Sequence, residues 1–228
     1  MKTINCSVIG TPSSRLFMYL YAMRNVGFLP AQIYLYGAKK AVSPGYGFCE
    51  KLHKKPEISF EELTENIPII NIEADDINSA LEHVAEGADF YIFAGKGIVK
   101  EHHVSRFRIL HIHPGLLPLY RGSTTIYYSL LNEGKAYATA FIMDKSIDGG
   151  CIVAAKEFEI CGCSVDGSYD SRIRSELLAD VLKEYDRNGS FSQTPQPQNK
   201  SMMFYKIHPV LKKIALNRQD QISNNNIR

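Results

Sequence analysis

Two histidines spaced His-x-His, at 111 and 113, close a short apolar run and are followed at once by Pro114-Gly115. In an extended strand successive side chains point to opposite faces, so His111 and His113 share one face and Ile112 takes the other. Proline removes a ladder donor and glycine opens unusual dihedrals, so the two imidazoles belong where strand turns into loop. A second polar turn, Asp144-Lys145-Ser146-Ile147-Asp148-Gly149-Gly150, carries two carboxylates, and Gly95-Lys96-Gly97 follows another apolar run. Two chemistries suit this set. A carboxylate that orients an imidazole and raises its basicity gives acid–base catalysis near neutral pH. His-x-His with a carboxylate also supplies three faces of a zinc or iron shell. Spacing does not choose between them.

Such residues need a sheet to hold them. Residues 4–9 (INCSVI) read as a buried strand running into Gly10-Thr11-Pro12-Ser13-Ser14. Leu16, Tyr19, Leu20 and Met23 then recur at helical spacing, with Ser13 or Ser14 as N-cap. With a strand at 33–36 this is a βαβ unit, hence a parallel sheet with a right-handed crossover. The turn lacks G-x-G-x-x-G and a P-loop lysine, although the helix N-terminus suits one anionic group. Residues 37–65 read as loop plus a short helix. Further strands are expected at 67–72, 90–94 and 108–113, and a hairpin-like pair at 137–143 and 151–155 makes the sheet mixed. Ile126, Leu130 and Leu131 mark one later helix, and Ile173, Leu177, Leu178, Val181 and Leu182 the last long one. The fold class is α/β: a Rossmann-like open, mostly parallel sheet flanked by helices. His102-His103 reads as an exposed helical pair.

The expected organisation is a catalytic domain over 1–187 and a tail over 188–228. Residues 188–200 are mostly Gly, Ser, Gln, Pro and Asn, a linker by composition. The apolar patch at 204–211 is expected to pack back on the body, and the end, from 217, to be disordered. A formal charge of +2 gives no electrostatic case for nucleic acid or a membrane surface. Five cysteines, with only Cys161-Gly162-Cys163 closely spaced, fit neither a zinc knuckle nor a redox motif. No apolar run has the length of a leader or a membrane span, so a cytoplasmic protein with a small-molecule partner is expected, and a homodimer is compatible with it.

The stretch HIHPGLLPLYRG, followed after a helix and a strand by SIDGGCIV, resembles the formyltransferases that use 10-formyltetrahydrofolate. That family includes the glycinamide ribonucleotide, methionyl-tRNA and nucleotide-sugar enzymes. The resemblance covers about residues 4–160 and implies a Rossmann-like catalytic domain. It implies His113 as catalytic histidine and Asp148 as catalytic aspartate. His111 stands where the family has asparagine, and Gly115 where it commonly has serine. The resemblance further implies a formylfolate held largely by backbone atoms of two loops, here Gly97, Ile98 and Val99, and Met143, Asp144, Lys145, Ser146 and Ile147. Gly10, Thr11, Pro12, Ser13, Arg121 and Gly122 are the residues set aside for the amine substrate. The implied reaction is formyl transfer from 10-formyltetrahydrofolate to a small amine, first among them a nucleotide-linked amino sugar, with no metal. In it His113, as a cation or through N–H, stabilises an oxyanion, and His111 replaces the asparagine as a neutral donor. The alternatives are a hydrolase, acting on formyltetrahydrofolate or through a metal on His111 and His113, and a non-catalytic folate-binding protein.

Overall fold

The computed structural model describes residues 1–37, 57–160, 169–197 and 201–225. Most of the expected 37–65 loop and the Cys161-Gly162-Cys163 pair lie outside the described residues. The elements run β1 (Lys2–Gly10), α1 (Ser14–Asn25), β2 (Phe28–Leu35), α2 (Phe60–Leu63), β3 (Ile69–Asn71), α3 (Ile77–Leu81), β4 (Phe90–Ala94), α4 (Glu101–Arg106) and β5 (Ile109–His113). They continue with β6 (Arg121–Gly122), α5 (Thr125–Glu133), β7 (Ala136–Ile142), β8 (Ile152–Phe158), α6 (Asp170–Asn188), β9 (Met203–Phe204) and α7 (Pro209–Asn225).

Seven strands form one sheet in the order β3-β2-β1-β4-β5-β7-β8. The first five positions are paired in parallel, whereas β5–β7 and β7–β8 are antiparallel. The sheet is therefore mixed, as the hairpin pattern requires. From β1 the chain winds outward through β2 and β3, then returns to place β4 on the other side of β1. At such a reversal the connections leave in opposite directions and open a crevice at the carboxyl ends of the strands.

Alternation along β1 shows how the layers are bonded. Cys6 and Val8 enter a large core with Leu16, Leu20 and Met23 of α1 and Leu177 and Leu178 of α6, while Ile9 enters a smaller core with Ile77 and Leu81 of α3. Ser13 caps α1 by accepting from the Leu16 amide at 3.3 Å, so the turn after β1 ends in a properly started helix. On β5, Leu110 and Ile112 are fully buried in the large core. Each such side chain contributes about 1.5–3 kcal/mol, which fixes the strand's register and with it the face shown by His111.

The C-terminal region departs from its composition. Within the stretch expected as linker, Phe191 is buried against Phe90 and Tyr185, and Thr194 exchanges two 2.8 Å backbone hydrogen bonds with Ile152. β9 then pairs in parallel with β6. The end expected to be disordered continues as α7 up to Asn225. Its Ala215 is buried, Arg218 donates to the Leu131 carbonyl, and Ile222 lies over Gly134 at the end of α5. A helical stripe over 215–222, not visible in the polar composition, explains the order. The described residues 191–197 and 201–207 thus form a strap across the sheet's carboxyl edge.

Candidate active site

A cavity of roughly 870 Å³ opens at the carboxyl edge, floored by Phe93, His111, His113 and Phe141. The 95–99 loop after β4 and the 143–148 turn after β7 form two of its walls, and residues 203–206 of the strap form a third.

The His113 ring is buried. Its Nε2 lies 2.7 Å from the Tyr120 carbonyl oxygen and 3.1 Å from Thr125 Oγ1, and that hydroxyl donates to the Pro114 carbonyl at 3.0 Å. A carbonyl only accepts, so Nε2 carries the hydrogen and this assignment leaves Nδ1 as the nitrogen with a lone pair. Nδ1 faces Asp148 Oδ2 at 3.5 Å. Burial pushes the His113 pKa down, Asp148 opposes this and Arg174 adds to it, the net shift being downward. The resting imidazole is thus neutral at pH 7, with its open lone pair beside a carboxylate. A cationic His113, one of the two forms the resemblance implies, does not match this resting state, and its Nε2–H is already committed to Tyr120. The pair is built to accept a proton at Nδ1.

Asp148 sits in the left-handed region at φ 50° and Oδ2 accepts the Gly122 amide at 2.7 Å. Two glycines around it are sterically required. A Cβ on Gly150 would lie 1.8 Å from the Ile142 carbonyl oxygen, and one on Gly122, whose φ is 101°, would lie 2.1 Å from the Phe204 carbonyl oxygen. The Asp-Gly-Gly and Arg-Gly pieces of the sequence are therefore packing statements as well as chemical ones.

His111 packs between Phe93 and Phe141, with ring centroids 5.5 and 5.7 Å away. Burial first, then the charges of Arg174, Arg15 and His113, hold its pKa well below the usual histidine value. Its Nδ1 is buried without a hydrogen-bond partner. Among the described residues, the cluster with metal-like ligand spacing lies elsewhere, at Glu82, His102 and His103. There Arg106 already stands 3.8 Å from the Glu82 carboxylate, so the negative charge a cation would need is partly offset. His103, expected to be exposed, is fully buried at that contact.

The residues set aside for donor and acceptor divide clearly. Gly97, Ile98, Val99 and all of 143–147 line the cavity, as do Thr11, Ser13 and Gly122. Gly10 and Arg121 do not line it, and Pro12 lines a separate depression of roughly 400 Å³ beside Tyr36 and Asn71. Arg121, set aside for the amine substrate, is buried and donates from Nε and Nη2 to Gln196 Oε1, at 3.2 and 2.7 Å. The reason is the strap, which delivers Gln196 onto it.

Three charged cavity-lining residues, Arg15, Asp170 and Arg174, went unread in the sequence. Arg15 donates to the Gly95 carbonyl at 2.8 Å, and Arg174 donates to the Ile112 carbonyl at 3.2 Å and to Asp170 at 2.9 Å. Arg174 was findable, since it interrupts the apolar stripe of α6 between Ile173 and Leu177. Arg15 and Asp170 carry no comparable signal.

The architecture is that of a doubly wound α/β protein with a ligand cavity at the strand-order reversal. The formyl transferase family model matches residues 68–178, a little under half of the chain, and this segment is similar to that family. A methionyl-tRNA formyltransferase from Elusimicrobium minutum is 35% identical over 131 residues, covering 54% of this chain and 38% of that protein. The chain therefore spans well under half of that relative's length. A 4-N formyltransferase from Francisella tularensis has a TM-score of 0.57 at 19% identity, over 93% of this chain and 87% of its own. An N-formyltransferase from Helicobacter canadensis, solved with folinic acid and dTDP-3-aminofucose, has a TM-score of 0.60 at 18% identity, over 95% and 80%. These structures share the fold.

Proposed function

We propose that this protein transfers a formyl group from 10-formyltetrahydrofolate to the amine of a small substrate, a nucleotide-linked amino sugar. The observation that carries the reading is the neutral His113 with its Nδ1 lone pair facing Asp148 Oδ2 at 3.5 Å, inside the family-matched segment and at the cavity floor. The amine nitrogen attacks the formyl carbon, forming the C–N bond and placing negative charge on the former carbonyl oxygen. The amine proton passes to the His113–Asp148 pair at Nδ1. The C–N bond to the folate then breaks, and the leaving nitrogen takes a proton back. His111, neutral, donates to the oxyanion in place of the family's asparagine. The 97–99 and 143–147 loops hold the folate, which is a consumed donor rather than a resident group. Support for the acceptor class comes from the cavity's chemistry: Tyr205 is exposed on the strap wall for stacking, and Lys206, Arg15 and Arg174 line the same space as partners for phosphate. The Helicobacter canadensis structure holds a ligand of that kind.

A second acceptor, methionyl-tRNA, is favoured by the name of the Elusimicrobium relative. Calorimetry with 5-formyltetrahydrofolate, followed by transfer assays with amino-sugar nucleotides, glycinamide ribonucleotide and charged initiator tRNA, decides among them. Formylation of an amino-sugar nucleotide is the expected result. Formylation of tRNA alone would replace the acceptor, release of formate without any acceptor would make the protein a hydrolase, and absence of folate binding would sink the reading.

A further inference from the structure

Gln196 lies in the segment whose composition reads as linker, yet it is buried and all its polar capacity is spent. Its Oε1 accepts twice from Arg121, and its Nε2 donates to the Asp148 carbonyl at 2.9 Å and to the Gly150 carbonyl at 2.7 Å. Arginine can only donate and carbonyls can only accept, so the amide has one possible orientation. No other side chain serves both ends. Glutamate would point lone pairs at two carbonyl oxygens, and asparagine is a methylene too short. The same two carbonyls belong to the turn whose first residue, Asp148, is held at φ 50°. A backbone in that region persists only when its surroundings over-determine it. Arg121 is on β6, next to Gly122, whose amide binds Asp148 Oδ2. One amide therefore joins the strap, β6 and the backbone of the turn.

We propose that Gln196 is a positioning residue, which clamps the Asp148 turn to Arg121 so that Asp148 Oδ2 stays facing His113 Nδ1. Its catalytic consequence rests on the formyl-transfer reading, but its structural consequence does not. Besides Asp148, the charged and titratable groups around His113 are Arg174 and Asp170 on α6 and His111 on β5. Of these, Gln196 touches only the Asp148 turn. Asp148 raises the His113 titration midpoint, so releasing the turn lowers that midpoint and leaves the α6 contributions in place.

The test is a titration of ¹⁵N-histidine-labelled protein from about pH 5 to 9 by NMR, with the His113 signal assigned by its loss in His113→Gln. Wild type is compared with Gln196→Met, Gln196→Glu and Asp148→Asn. The expected result is a downward shift of the His113 midpoint in Asp148→Asn and a shift in the same direction in both Gln196 variants. In the transfer assay the Gln196 variants should lose about 10- to 100-fold in kcat, with the KM for the formyl donor within about threefold of wild type. Should Gln196→Met fail to fold, Gln196→Glu retains a partner for Arg121 and gives the same reading. A wild-type His113 titration in a folded Gln196 variant overturns the proposal, as does an unshifted midpoint in Asp148→Asn. A wild type that transfers to no acceptor removes the formyl-transfer reading instead, and the titration still judges Gln196.

Discussion

The β5 strand and the C-terminal strap both end on Asp148, and they reach it by opposite routes. β5 carries its chemistry locally: two imidazoles, a proline and a glycine within five residues, in a register locked by Leu110 and Ile112. The strap carries no reactive group at its contact with the turn. It contributes hydrogen bonds and burial: Phe191 in the core, Thr194 on Ile152, Gln196 on Arg121 and the turn, and Ile207 donating to Thr124 Oγ1. The contrast teaches that reactive groups and the parts that aim them can lie in distant stretches of very different composition.

That division can be broken by experiment, beginning where the effect should be greatest. His113→Ala should retain the fold by circular dichroism and lose about 10²–10⁴-fold in turnover, the span of one general acid–base group. If instead it unfolds the protein, β5 has a structural share that the contrast denies it. Phe191→Ala should do the reverse, costing about 3–5 kcal/mol in denaturant unfolding, because the ring is packed against Phe90 and Tyr185. An unchanged midpoint would mean the strap is not part of the cooperative core.

His111 sharpens the comparison within β5 itself. His111→Ala should lower turnover by about 10²–10³-fold, the usual cost of one oxyanion donor, while His111→Asn keeps a substantial part of it. Normal turnover by the alanine variant would remove His111 from the chemistry. The smallest effect is on stability against pH. Both imidazoles have folded-state pKa values below the ordinary one, His111 by the larger margin. Above the unfolded value of about 6.5 neither state binds the extra proton, and below it the unfolded chain binds more. Stability should therefore fall as pH drops below about 6.5, by up to about 1.4 kcal/mol per pH unit for each histidine that remains neutral. His111→Leu should flatten that slope in thermal melts between about pH 5 and 7, and an unaltered slope would contradict the burial argument.

The fold was readable because β1, β4 and β5 are short, near-continuous apolar runs, each followed by turn residues, and α1 and α6 keep helical spacing. The motif residues His111, His113 and Asp148 do converge on one cavity, and so do the two loops expected to line it. The Arg121–Gln196 contact went unseen in the sequence for one physical reason. A buried amide satisfied by a guanidinium and two carbonyls leaves no periodic trace, since its partners lie roughly 50 to 75 residues away. Polar, proline-rich composition signals a linker only when nothing in the body awaits its side chains. His103 was hidden similarly: a polar residue on a six-residue helix gives no periodicity from which burial could be inferred.

The pairing of β6 with β9 also bears on the order in which the molecule is made. Gly122 of β6 pairs with Phe204 of β9, far along the chain. At a synthesis rate of about 5–20 residues per second, His111, His113 and Asp148 leave the ribosome several seconds before the segment that closes over them. Non-local pairing of this kind pays its loop-closure entropy late. A nascent chain lacking residues beyond 187 would carry His111, His113 and Asp148 with the Asp148 turn not yet bonded to Gln196. The contacts that hold the Asp148 turn from the C-terminal side thus form only after the turn itself has been made.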